Sequence, residues 1–104
     1  MASFDDREHA FENKFAHDAQ MQFKADARRN RLLGLWAAEK LGKSIDEAAE
    51  YAKEVVKSDF EEAGDEDVYR KVSADLGDRV TETELRTKMA ELMVEAKKQI
   101  LTET

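Results

Sequence analysis

Cysteine and proline are absent from this chain of 104 residues, and glycine occurs only four times. The lack of cysteine excludes disulfides, a thiolate nucleophile and a zinc-thiolate site. For the same reason, the redox compartment of the protein cannot be inferred from cysteine usage. The lack of proline and the scarcity of glycine leave few helix breakers. The chain also lacks a run of Val, Ile and Thr that would favour strands. These absences predict an all-α fold.

Long hydrophobic runs and an excess of positive charge are missing as well. No apolar run approaches the ~20 residues of a membrane span, and the first residues do not read as a secretory signal. We therefore expect no direct membrane insertion and a protein that stays where it is made. The formal net charge of -7 disfavours nucleic acid and anionic lipid as partners. A protein partner with a basic surface fits this charge better.

A capping box opens one of the predicted helices. Ser44 and Glu47 stand three residues apart, the spacing at which each side chain accepts a backbone N–H from the other residue. Gly64 is a stop signal, so the predicted helix covers residues 45–63. Its apolar positions recur at helical spacing and predict one buried face, formed by Ile45, Ala48, Ala49, Ala52, Val56 and Phe60.

Two further helices follow from similar signals. Asp65 is a predicted cap for a short helix that Gly77 ends, and its apolar positions are Val68, Val72 and Leu76. Thr81 and Glu84 predict a capping box for a helix over residues 82–101. The apolar face of that helix is predicted to hold Leu85, Met89, Leu92, Met93, Ala96 and Ile100.

The first segment is longer than the others. Residues 4–41 would span roughly 57 Å as one helix, against about 30 Å for a helix of some 20 residues, so its full length cannot be covered by the other helices. Its second half holds the apolar residues of a core helix: Met21, Phe23, Ala25, Leu32, Leu33, Leu35, Trp36, Ala37 and Leu41. The prediction is a small four-helix bundle over residues 21–104, preceded by an N-terminal arm over residues 1–20.

The N-terminal arm carries a narrow aromatic stripe. Phe4, Phe11 and Phe15 follow at offsets of seven and four, on one side of an otherwise charged helix. A helix of about four turns is only marginally stable alone in water. The stripe has two interpretations: it folds back onto its own bundle, or it inserts into a groove on a partner, as amphipathic helices do.

Catalytic and metal-binding patterns are weak in this sequence. His9 and His17 would lie about 12 Å apart along a helix, too far to share a metal ion, and Asp6 with His9 forms only a single pair. Gly-rich phosphate loops, nucleophile elbows and Glu-x-x-His pairs are missing. We predict no metal, no cofactor and no enzymatic activity.

Three features near the middle of the first segment have structural interpretations. The basic run over residues 27–31 is expected to be a solvated face that pairs with nearby carboxylates. Gly34, inside a helix, indicates close helix packing or a kink. Trp36 is expected to anchor the core rather than to stack on a ligand.

Six stretches, taken in order, resemble the alphaproteobacterial F-type ATPase inhibitor zeta subunit family. The resemblance covers nearly the whole chain, and its motifs are long and unusual in composition: FDDRE (4–8), AFE (10–12), KFAHD (14–18), ARRN (27–30), LLGLWAA (32–38) and DFEEAGDEDV (59–68).

The resemblance implies a four-helix protein that binds the catalytic head of the F-type ATP synthase and restrains ATP hydrolysis. Its N-terminal segment would insert as a helix at a catalytic interface formed by the alpha and beta subunits near the gamma subunit. The partner-binding residues implied by position are Phe4, Asp5, Asp6, Arg7, Glu8, Phe11, Glu12 and Phe15. The implied location is cytoplasmic, at the periphery of the inner membrane through the synthase. The alternative is a non-catalytic helical scaffold or assembly module whose arm packs on its own bundle.

Overall fold

A computed structural model of the protein describes residues 19–59 and 65–103. The helices in these ranges are α1 (Ala19–Lys40), α2 (Ile45–Ser58), α3 (Glu66–Leu76) and α4 (Glu82–Glu103), with a short 3-10 helix, Gly77–Arg79, before α4. No strand occurs within the described residues. α1 contacts each of the other three helices, most extensively α2 and α4. The all-α four-helix prediction is confirmed.

The turn between α1 and α2 follows from Gly42. Its φ of +73° lies in the left-handed region that favours glycine. The N–H of Lys43 donates to the carbonyl of Ala38 at 3.0 Å, and the N–H of Gly42 donates to that of Glu39 at 3.1 Å. This pair of bonds is a Schellman motif, which satisfies carbonyls that the last turn of α1 would leave unpaired.

The predicted capping boxes are present at the starts of α2 and α4. The N–H of Ser44 donates to Glu47 Oε1 at 2.9 Å, and the N–H of Glu47 donates to Ser44 Oγ at 3.2 Å. Thr81 and Glu84 exchange the same bonds at 3.2 and 3.1 Å. These local bonds begin both helices where the sequence predicted.

Two apolar clusters hold the bundle together. The larger one joins all four helices in the middle of the molecule and consists of Leu33, Ala37, Ala38, Tyr51, Val55, Val68, Val72, Leu76, Leu85 and Met89. The smaller one joins the beginning of α1 to the end of α4 through Met21, Ala25 and Ile100. Phe23 was predicted for the core, but its side chain is 58% exposed, because it lies on the outer side of α1.

Gly34 allows α1 and α2 to approach closely. A Cβ placed on Gly34 would lie 2.6 Å from the Cα of Ala52 and 3.3 Å from Val55 Cγ2, so no larger residue fits without a shift of the backbone. This contact confirms the close-packing interpretation of Gly34.

The buried face of α2 differs from the predicted one. Tyr51, Ala52 and Val55 are buried, whereas Ile45 is 90% exposed and Ala49 is exposed. The close approach at Gly34 orients α2 about Ala52, so that Tyr51 and Val55 face the core and the other apolar side lies at the surface. α2 also ends at Ser58, with Asp59 as its cap, rather than at residue 63. The predicted core residue Phe60 and the predicted stop Gly64 lie outside the described residues.

α3 and α4 have the apolar faces that the sequence predicted. Val68, Val72 and Leu76 are buried, and α3 ends at Gly77, which has a φ of +56°. Asp65 precedes α3, as predicted, but its side chain makes no capping bond. On α4, Leu85, Met89, Ala96 and Ile100 are buried and Leu92 and Met93 are partly buried.

None of the helices in the described part of the chain is both long enough and apolar enough to cross a membrane.

Candidate functional site

The predicted partner-binding residues lie ahead of the described ranges. Phe4, Asp5, Asp6, Arg7, Glu8, Phe11, Glu12 and Phe15 all belong to residues 1–18, whose structure is not described. His9 and His17 lie there too. The structure does describe the end of the bundle to which this segment is attached.

The beginning of α1 is packed against the end of α4. Met21 and Ala25 are buried against Ile100, and Met93 and Leu101 pack on this cluster. Burial of apolar surface at ~25 cal/mol per Å² holds these two helix ends together. The first described residues of the chain therefore lie at a packed end of the bundle.

Arg28 adds a polar clamp between the same two helix ends. Its Nη1 donates to Gln99 Oε1 at 2.8 Å, and its Nη2 donates to Glu103 Oε2 at 2.9 Å. The hydrogen bond from Arg28 lowers the pKa of Glu103 below its ordinary value. Because Glu103 is largely exposed, solvent screening keeps this clamp weak, and the apolar contacts beneath it dominate.

Arg29 corrects the interpretation of the basic run as a solvated face. Its side chain is 1% exposed, its Nε donates to Asn30 Oδ1 at 2.6 Å, and its Nη2 donates to Asp65 Oδ1 at 2.7 Å. Asp65 is thus engaged by α1 instead of capping α3. The basic run itself does not distinguish Arg29 from Arg31, which is exposed, because Asp65 is 36 residues away in the sequence.

Trp36 lies at the edge of the core rather than at its centre. Its side chain is partly buried and packs against the larger cluster. Lys40 Nζ lies 5.1 Å from the centroid of its ring and Lys88 Nζ lies 5.8 Å away. The expectation of a core anchor therefore needs correction: Trp36 shields the core from solvent while its ring contacts two cations.

Tyr51 is a buried phenol, and its surroundings disfavour acid-base chemistry. Its hydroxyl donates to Asp75 Oδ2 at 2.8 Å, and Lys71 Nζ lies 3.2 Å from the same oxygen. Burial, followed by the bond to Asp75, raises the pKa of Tyr51 well above its ordinary range. A phenol that stays protonated serves here as a structural donor between α2 and α3 rather than as a base.

Asp26 is a partly buried carboxyl group on α1. Burial raises the pKa of Asp26, and the bond from Gln22 Nε2 at 2.9 Å opposes that rise. Among the described residues, no second carboxyl is hydrogen-bonded to Asp26 as in a catalytic acid-base pair. In the described ranges, no group of three or more His, Asp or Glu side chains could hold a metal ion.

An open apolar groove lies between α1 and α2. It has a volume of about 320 Å³, and we call it the α1–α2 groove; it is lined by Arg31, Leu35, Ala49, Ala52, Lys53, Val56 and Lys57. The periodicity of α2 predicted a buried face that contains Ala49, Ala52 and Val56, and it predicted no groove. The signal that could have revealed it is the width of the apolar surface of α2, which exceeds a single stripe.

Comparisons with known proteins identify the class and then the family. The described residues define a small all-helical bundle, and a solved structure of similar fold, a solution NMR structure, superposes on it with a TM-score of 0.75. That protein is 62% identical, and the match covers 81% of this chain and 99% of that one. No match is found among curated protein sequences. A family model described as ATPase inhibitor subunit zeta matches residues 1–99, and the chain belongs to this family.

The family is named for inhibition of an ATPase, not for catalysis. The match begins at residue 1, so it includes the arm as well as the bundle. The resemblance drawn from the sequence motifs is therefore confirmed at the level of the family.

Proposed function

We propose that this protein binds the catalytic head of the F-type ATP synthase and restrains ATP hydrolysis by inserting its N-terminal arm, residues 1–20, at a catalytic interface. The observation that carries the proposal is the family match, which spans the arm and the bundle together. The expected partners are the alpha, beta and gamma subunits. The protein would then work in the cytoplasm, at the membrane periphery, through its attachment to the synthase.

The described residues have a packed interior, as a body that presents an arm to a partner requires. Both apolar clusters of the described residues are built from positions between Met21 and Ile100. The Arg28 clamp and the smaller cluster hold the beginning of α1, which follows the arm in the sequence, against the end of α4. A firmly held attachment point lets an amphipathic segment reach a partner without loosening the bundle.

Inhibition of this kind needs no active site. Rotary catalysis requires interfaces that open and close in turn, and a helix held in one of them must be released before that interface closes. The aromatic residues Phe4, Phe11 and Phe15 would supply the buried contacts, and the charged residues around them would form the rim.

The test is ATP hydrolysis by the cognate F-type complex, titrated with the whole chain and with a form that lacks residues 1–18. The whole chain should inhibit and the shortened form should not. Circular dichroism and thermal unfolding of the shortened form provide the control, since it should unfold cooperatively. If shortening abolished cooperative unfolding, the arm would belong to the core, and the scaffold alternative would explain the protein better.

A further inference from the structure

The α1–α2 groove is an apolar surface that the described bundle leaves uncovered. Its floor consists of small and aliphatic side chains: Leu35 from α1, and Ala49, Ala52 and Val56 from α2. α2 is turned so that Tyr51 and Val55 fill the core, which leaves this second apolar stripe facing outward. An apolar groove between two helices has the shape that receives the apolar edge of a third helix.

The rim of the groove is basic, in contrast to the rest of the protein. Arg31, Lys53 and Lys57 line it, although the chain has a formal net charge of -7. Lys53 pairs with Glu50 at 3.3 Å, whereas Arg31 and Lys57 make no ion pair with another described residue. Two cations without acidic partners among the described residues, beside an apolar floor, favour a ligand that is apolar along one edge and acidic along both sides.

The chain's own arm is a poor occupant. α1 begins at Ala19, and Arg31 lies about 18 Å further along the helix at 1.5 Å per residue. To reach the groove, residues 4–18 would have to reverse direction just before α1. No glycine or proline occurs between residues 4 and 33 to favour such a turn.

A second copy of the chain and a membrane are also poor occupants. Two copies, each with a net charge of -7, repel one another at low ionic strength. The same net charge opposes an anionic bilayer, and a concave groove shelters its apolar floor from a flat surface.

We propose that the α1–α2 groove docks an acidic amphipathic helix of the ATPase, as a contact separate from that of the N-terminal arm. The proposal rests on the proposed function, because the partner is the same complex. Two separate contacts on one partner would act together, since the second one forms at the high effective concentration that the first creates.

The first experiment reverses charge at the rim. The dissociation constant of the whole chain for the isolated catalytic head is measured for the double variant Arg31→Glu/Lys57→Glu. A matched control, Lys43→Glu/Lys98→Glu, changes the net charge equally at exposed positions that do not line the groove. The groove variant should bind at least tenfold more weakly than the control variant, and the difference should shrink as salt is added.

The second experiment fills the α1–α2 groove with a large side chain. Ala49→Trp places a large ring in the groove at an exposed position of α2, and Ala74→Trp places the same ring at an exposed position of α3. Only Ala49→Trp should weaken binding to the head, and both variants should melt like the parent. A photo-crosslinking residue at position 49 should join the chain to an acidic helix of the head.

Equal binding by the groove and control variants would overturn the proposal, even if the parent inhibits hydrolysis. It would also be overturned if the rim variants lost binding only to vesicles containing anionic lipid, or only to a second copy of the chain. If the unaltered chain did not bind the head at all, the proposed function itself would fail. These outcomes distinguish a failure of the groove proposal from a failure of the function proposed for the arm.

Discussion

Gly34 of α1 lies so close to Ala52 of α2 that a Cβ on the glycine would be only 2.6 Å from the Cα of the alanine. The obstructing atom is backbone, so a side-chain rotation cannot relieve the clash. The spacing of α1 and α2, and therefore the orientation of α2, depends on this one missing side chain. The buried Tyr51 and the open α1–α2 groove both follow from that orientation.

Gly34→Ala should destabilise the protein although alanine favours the helix. The gain in helix propensity is ~1 kcal/mol, whereas overpacking at a backbone contact costs about 1 to 3 kcal/mol or more. Urea unfolding should show a lower free energy of unfolding, and Gly34→Ser should lower it further. If Gly34→Ala were more stable than the parent, α1 and α2 would be farther apart than the structure has them.

Asp65→Ala should lower the free energy of unfolding by about 1 to 3 kcal/mol, because it leaves the guanidinium of Arg29 buried with one acceptor fewer. The decrease in the free energy of unfolding should be smaller than for a fully buried ion pair, because Asp65 is half-exposed. The matched control is Asp78→Ala, an exposed acid that pairs with no described cation, and its effect should stay within about 0.5 kcal/mol. Equal effects of the two substitutions would argue against the ion pair.

Asp26→Asn should stabilise the protein at pH 7, and the gain should vanish in acid. Burial raises the folded-state pKa of Asp26 above its ordinary value of 3.8, so the ionised form opposes folding. As the pH falls through the raised pKa and then below 3.8, the carboxyl becomes neutral in both states and the penalty disappears. The measurement is the melting temperature of both proteins from pH 7 to pH 3.

The prediction would be wrong if the gain in melting temperature of Asp26→Asn over the parent increased as the pH fell, because an ionised Asp26 would then not oppose folding. The amide keeps an oxygen to accept the bond from Gln22, so Asp26→Asn tests charge rather than a lost bond. Loss of the attraction between Asp26 and Arg29 works against the gain, so a large stabilisation is not expected.

Phe11→Ala/Phe15→Ala should weaken inhibition of ATP hydrolysis while leaving the stability of the bundle nearly unchanged. Buried aromatic contacts at an interface commonly contribute about 2 kcal/mol or more each, so even partial additivity should raise the inhibitory concentration by at least about tenfold. The control is Asp5→Asn or Glu8→Gln, which should change binding by about 0 to 1 kcal/mol if these residues lie at a hydrated rim.

The opposite pattern would support the scaffold alternative. A double-alanine protein that inhibited like the parent but melted several degrees lower would have lost contacts within its own bundle. The comparison of inhibition with melting temperature therefore distinguishes the two interpretations of the aromatic stripe.

The sequence by itself determined the helices of the described chain and most of their ends. The bonds of Ser44 with Glu47 and of Thr81 with Glu84 join residues three apart, and Gly77 ends α3 through its own backbone conformation. Such signals depend on a few neighbouring residues, so a sequence pattern contains them in full. The eight predicted contact residues of the arm came from the family resemblance and stay predictions.

Tertiary structure alone decided which sides of the helices are covered. α2 carries two overlapping apolar stripes at helical spacing, and the packing of the folded bundle, with Ala52 against Gly34, buries the one that contains Tyr51 and Val55. Likewise, Arg29 is buried with Asp65 as its partner, and only the tertiary fold brings together these two residues, which are 36 positions apart in the sequence. Periodicity reports that a helix has an apolar side, but the width and direction of the buried side depend on the shape of the helix that packs against it.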